Sequence, residues 1–150
     1  MTRRDRDERG SIAPAVPIIA MALLLLGGLG IDGSRQLNAR GQAVAFAEEA
    51  ARAGAQGIDV AASDLQLDRS LAEERVDTYC ARVVQLGQVE SCRFVGIRPV
   101  SDDDPRELVV VTSVQLEIAA SLLSMVGVND LRASATARAR PYEGINAPEE

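Results

Sequence analysis

The sequence predicts an α+β fold: an amino-terminal transmembrane helix continues into a helical stalk, and a small head packs a second helix on a three-stranded antiparallel sheet. Three observations predict it. Residues 11–31 form an apolar run without a charged side chain, an alanine-rich helical pattern follows as far as residue 57, and apolar and polar residues alternate most clearly over residues 108–118.

The apolar run is long enough to cross a bilayer. A hydrocarbon core of about 30 Å needs roughly 20 helical residues at about 1.5 Å each, and this run meets that need with little to spare. Arg3, Arg4, Arg6 and Arg9 precede it, whereas Asp32 follows it. Arginines orient a span and acids contribute little, so the flanks predict a cytoplasmic leader over residues 1–10 and everything after the span outside the cytoplasmic membrane, in a single pass. Pro14 and Pro17 fall in the opening turns, where a missing N–H is tolerated. Gly27, Gly28 and Gly30 near the far end read either as a flexible outer end of the span or as a close-packing face for neighbouring helices.

Composition limits the chemistry. The chain has 150 residues, so leader and span leave room for one small domain. Its net charge is -6, which disfavours nucleic acid as a partner. Histidine is absent, so a Ser-His or Cys-His nucleophile pair and a His-containing zinc site are excluded. Aromatic residues make up only 3%, too few for a stacking platform. No catalytic residue, metal ligand or cofactor site is predicted.

In chain order, residues 32–57 read as an outward extension of the span, with Leu37, Val44, Ala47 and Ala51 on one face and a joint near residues 30–33. Residues 57–67 read as a connection, with the head beginning at residue 58. A second helix is expected over residues 68–86: Asp68 is the N-cap, Glu73 and Glu74 lie early, and Arg82 lies late. Its stripe of Ala72, Val76, Tyr79, Cys80 and Val83 has helical spacing and reads as core. Gly87 closes it. Residues 89–97 read as a strand and residues 99–105 as a loop. Leu108, Val110, Thr112, Val114, Leu116 and Ile118 line the one buried face expected of the next strand. A helical turn over residues 121–126 and a bend at residues 127–130 lead to a last strand over residues 131–140, whose inner Ala133, Ala135, Ala137 and Ala139 would let a helix lie close. The head ends at residue 140, and residues 141–150 read as a tail.

Cys80 and Cys92 would join the end of the second helix to the first long strand. An exported head lies where disulfides survive, and the crosslink would contribute about 3 kcal/mol. A redox pair is the rival reading, without a Cys-x-x-Cys motif to favour it, and two separate buried thiols are another. Asp102, Asp103 and Asp104 are successive and rarely converge on a cation, so they read as a solvated tip. Glu48 with Glu49, and Glu73 with Glu74, point about 100° apart on their helices and read as solvated faces.

The junction Arg9-Gly10-Ser11 places a basic leader ending in glycine directly before the apolar run. It is similar to the cleavage site of type IV pilin-like precursors, cut on the cytoplasmic side with the helix retained. Gly10 and Ser11 are thus the candidate cleavage position, the alternative being that Gly10 merely ends the leader. Such precursors commonly carry Glu five residues into the mature chain, where this sequence has Ala15. Over Asp7-Glu8-Arg9-Gly10-Ser11-Ile12-Ala13-Pro14, the Leu-rich span, Gly30-Ile31-Asp32-Gly33-Ser34-Arg35 and Leu37-Asn38-Ala39-Arg40, the chain resembles TadE/TadG-like proteins of the tight-adherence (Flp) pilus system. The helix over residues 45–55 with Glu48, Glu49 and Arg52, and the terminal alternation of Ala133 to Ala139, extend the resemblance. It implies a non-enzymatic, membrane-anchored, pseudopilin-like component of a pilus and secretion assembly. Its partners would be other pilus-assembly or pseudopilin subunits, met through the hydrophobic helix, and a prepilin-type peptidase. A membrane-tethered extracytoplasmic binding or sensor domain is the alternative function.

Overall fold

A computed structural model describes residues 13–59, 66–87, 89–101 and 107–141. The fold is α+β. Helix α1 (Ala15–Ala55) runs 41 residues without interruption, about 60 Å at 1.5 Å per residue. The expected joint near residues 30–33 is absent: all four glycines there and before it, Gly27, Gly28, Gly30 and Gly33, lie within the helix. Pro14 is the N-cap and Pro17 lies in the first turn, so the missing N–H of Pro17 removes no intrahelical bond and the helix starts without a kink.

The connection after α1 contains a small pairing that the sequence pattern did not reveal. Strands β1 (Ile58–Asp59) and β2 (Gln66–Leu67) pair antiparallel, with Ile58 opposite Leu67. Two residues per strand leave no room for a period-two signal to show. Helix α2 (Arg69–Gln85) begins at Asp68, whose Oδ1 accepts the N–H groups of Ser70 at 2.8 Å and Leu71 at 3.0 Å. Gly87 follows the C-cap with φ of 69°, the left-handed conformation that ends a helix.

Strands β3 (Ser91–Pro99), β4 (Leu108–Ala119) and β5 (Asp130–Ala139) form an antiparallel meander in the order β3-β4-β5. A bulge between Phe94 and Gly96 shifts the β3 register. Both helices cover one face of this sheet. Ala43, Ala47 and Ala51 of α1 pack with Val114, Leu116 and Ala137, and Ala50 joins Ala72, Val76, Cys80 and Val110. The alanines on α1 and β5 keep the approach short, as their spacing predicts.

Two expectations about faces are corrected. Leu37 and Val44 are not on the buried stripe of α1: they stand 73% and 41% exposed, and Ala39, Ala43, Ala47, Ala50, Ala51 and Gly54 face the head instead. The close helix–sheet approach selects the smallest side chains, so size overrides hydrophobicity here. Strand β4 also has more than one buried face, because Val109 and Val111 are buried along with Val110, Thr112, Val114 and Leu116. As the central strand it has Arg98 opposite Val109 and Arg138 opposite Val111, and long arginine stems shield apolar neighbours.

Candidate membrane and assembly surface

The two halves of α1 have different surroundings. From Ala39 onward one face is buried under the sheet, whereas Val16, Ile18, Ile19, Met21, Leu23, Leu24, Leu25, Leu26, Leu29 and Ile31 are all exposed. Among the described residues α1 is the one helix long and apolar enough to cross a membrane. A ring of bare aliphatic side chains around a helix is stable in hydrocarbon and costly in water, at about 25 cal/mol per Å² of apolar surface.

The boundary between the halves is built around Asp32. Its side chain is fully buried, and its carboxylate accepts three backbone N–H groups: Ser121 at 3.0 Å on Oδ1, with Leu122 at 2.9 Å and Leu123 at 2.8 Å on Oδ2. These groups open the 3-10 turn Leu123–Val126, which lies in the connection between β4 and β5. The carboxylate thus supplies the acceptors that the start of a helical turn lacks. The N–H of Leu123, then that of Ser121, hold the Asp32 carboxyl below the usual carboxylate range against the opposing effect of burial, with Leu122 and the Arg35 charge adding to the lowering. Arg35 also donates to the Ser121 hydroxyl, and Gln36 Nε2 donates to the Arg132 carbonyl at 2.6 Å. One turn toward the amino terminus, buried Gly28 faces Leu122: a Cβ on Gly28 would come within 2.7 Å of the Leu122 Cβ.

Higher in the head, Cys80 and Cys92 are bonded, with Cα atoms 5.2 Å apart, tying α2 to β3. Thr112 is buried and donates from Oγ1 to the Ala47 carbonyl at 2.7 Å, locking β4 to α1. Glu48 and Glu49 divide their roles. Glu48 pairs with Arg52 at 3.1 Å on the surface, whereas Glu49 accepts the Tyr79 hydroxyl at 2.6 Å and so links α1 to α2. Burial first, then the bond to Glu49, pushes the Tyr79 hydroxyl pKa upward. An open groove of about 500 Å³ runs beside this link, lined by Ala53, Gln56, Leu71, Glu74, Arg75, Thr78, Tyr79 and Arg82. Among the described residues no group of three or more acidic or cysteine side chains is placed to hold a metal ion.

Residues 10–57 match the family model described as "Putative Flp pilus-assembly TadE/G-like". The TadE/G-like segment therefore takes in both halves of α1 and stops at Gly57, immediately before β1. No curated protein and no solved structure matches the chain. Gly10 and Ser11, the candidate cleavage position, lie outside the described residues, as do Asp102, Asp103 and Asp104. Sequence reasoning placed Asp32 only as the polar end of the span and missed its role as an acceptor. The available signal was a second uncharged stretch, residues 118–128, with Ser121 and Ser124 marking a turn within it.

Proposed function

We propose that this protein is a non-enzymatic, membrane-anchored component of a tight-adherence (Flp) type pilus assembly, acting as a minor pseudopilin-like subunit. Residues 1–10 are a cytoplasmic leader, residues 11–31 the span, residues 32–57 a stalk and residues 58–140 an extracytoplasmic head. The bond between Gly10 and Ser11 is the one a prepilin-type peptidase would cut, and the Cys80–Cys92 crosslink suits an oxidising compartment. The observation that carries the assembly role, beyond simple tethering, is the exposed pair Leu37 and Val44. They lie seven residues apart on one face of α1, above the span and clear of the head. A stalk that contacted only water would lose nothing with polar residues there, whereas a neighbouring subunit helix would bury both.

A photocrosslinking residue at Leu37 or at Leu24, expressed at native level in the host membrane, tests this reading. Capture of other pilus-assembly subunits at both positions is the expected result. A tethered sensor or binding domain would give no such adduct from either position.

A further inference from the structure

The connection between β4 and β5 projects toward the same end of α1 as the apolar run. We propose that residues 122–128 dip into the outer leaflet of the membrane that α1 spans, giving the head a second, monotopic attachment beside its anchor. This rests on the reading of α1 as a membrane span.

Three observations carry it. The segment Leu122-Leu123-Ser124-Met125-Val126-Gly127-Val128 has no charged residue, yet its apolar side chains other than Leu123 are exposed. Met125 is 80% exposed, Val126 59% and Leu122 36%. A compact head with alanines to spare in its core has no need of this surface in water.

The second observation is depth. The uncharged run of residues 11–31 is barely long enough for a hydrocarbon core of about 30 Å, so little of it can be left outside. Gly28 lies three residues inside its end, about 5 Å along the axis, and Leu122 rests directly against Gly28. With Gly28 at the depth of the acyl chains, Leu122, and with it the turn, lies at that level too.

The third observation is how the backbone is satisfied. The N–H groups of Ser121, Leu122 and Leu123 are bonded to Asp32, while those of Met125, Gly127 and Val128 are bonded to the carbonyls of Leu122, Ser124 and Leu123. Backbone that reaches the edge of the acyl chains loses water as a partner, and partnering its polar groups in this way lowers that cost. Asp32 is likewise admitted at the boundary because its carboxylate is fully engaged. Gly127, with φ of 91°, turns the chain back toward β5.

The chain has no tryptophan, so single-tryptophan variants report position directly. The full chain is reconstituted in phosphatidylcholine vesicles whose acyl chains are brominated either near the headgroup or near the chain middle. Met125→Trp, and Val126→Trp as a second probe, are expected to lose fluorescence mainly to the shallow bromines. Met21→Trp, mid-span, is expected to lose it mainly to the deep ones, and Thr136→Trp, high on the sheet, to neither. Quenching at Met21 without quenching at Met125 or Val126 would overturn the inference and leave the anchor standing. A blue shift at Met125 without quenching would do the same, by showing that protein covers the turn. No quenching at Met21 would overturn the anchor reading and the inference together.

Discussion

Asp32 is the residue on which the placement of the turn between β4 and β5 depends. Replacing it by Ala removes all three acceptor contacts, while Asn keeps one acceptor oxygen. Amide exchange at Ser121, Leu122 and Leu123 is therefore expected to accelerate most in Asp32→Ala and less in Asp32→Asn, with protection around Cys80 and Cys92 unchanged. The pH dependence has a definite sign. The folded carboxyl lies below its ordinary value of 3.8, so its contribution is complete above that value and is lost as pH falls through the lowered folded one. Acid should loosen the turn in the wild type, and Asp32→Asn should lack that component of the change. Two glycines of α1 provide a contrast in packing. A Cβ on Gly54 would come within 2.7 Å of Val76 Cγ2 and 2.8 Å of Val110 Cγ1, both on fully buried residues, whereas Gly33 has open space around it. Gly54→Ala should lower stability by about 1–2 kcal/mol in denaturant titration, since overpacking exceeds the gain in helix propensity. Gly33→Ala should raise it by up to about 1 kcal/mol.

Of the two α-helices, α2 has fewer buried residues of its own to hold it. It buries only Ala72, Val76, Cys80 and Val83, and the disulfide to β3 crosslinks it across 12 residues. Cys80→Ala with Cys92→Ala should cost about 3 kcal/mol by the same titration, with the loss shared by the α2 and β3 amides. The elements also show how far pattern can be read. Asp68, Gly87 and the alternation through β4 and β5 were legible because capping, left-handed termination and strand period are local rules. The buried face of α1 was not, because which side a helix presents depends on how close its partner comes; Leu37 and Val44 outranked Ala43 and Ala50 in hydrophobicity but could not fit. Asp32 was illegible for a related reason. Its partners are 89 to 91 residues away, and a carboxylate beside a span looks the same in sequence whether it meets water or three N–H groups.

At the scale of the molecule, one rod of 41 residues is divided between two environments. Its alanine half is the spine of the head, and its leucine half is exposed except at Gly28, where Leu122 covers it. Because the helix is continuous across Asp32, its apolar half and the head are rigidly coupled. This division predicts a fixed topology. Protease added to intact spheroplasts should digest the head and leave a membrane-protected fragment containing residues 11–31. A head that resists protease until the membrane is lysed, or a chain extracted from the membrane by alkaline carbonate, would contradict the account.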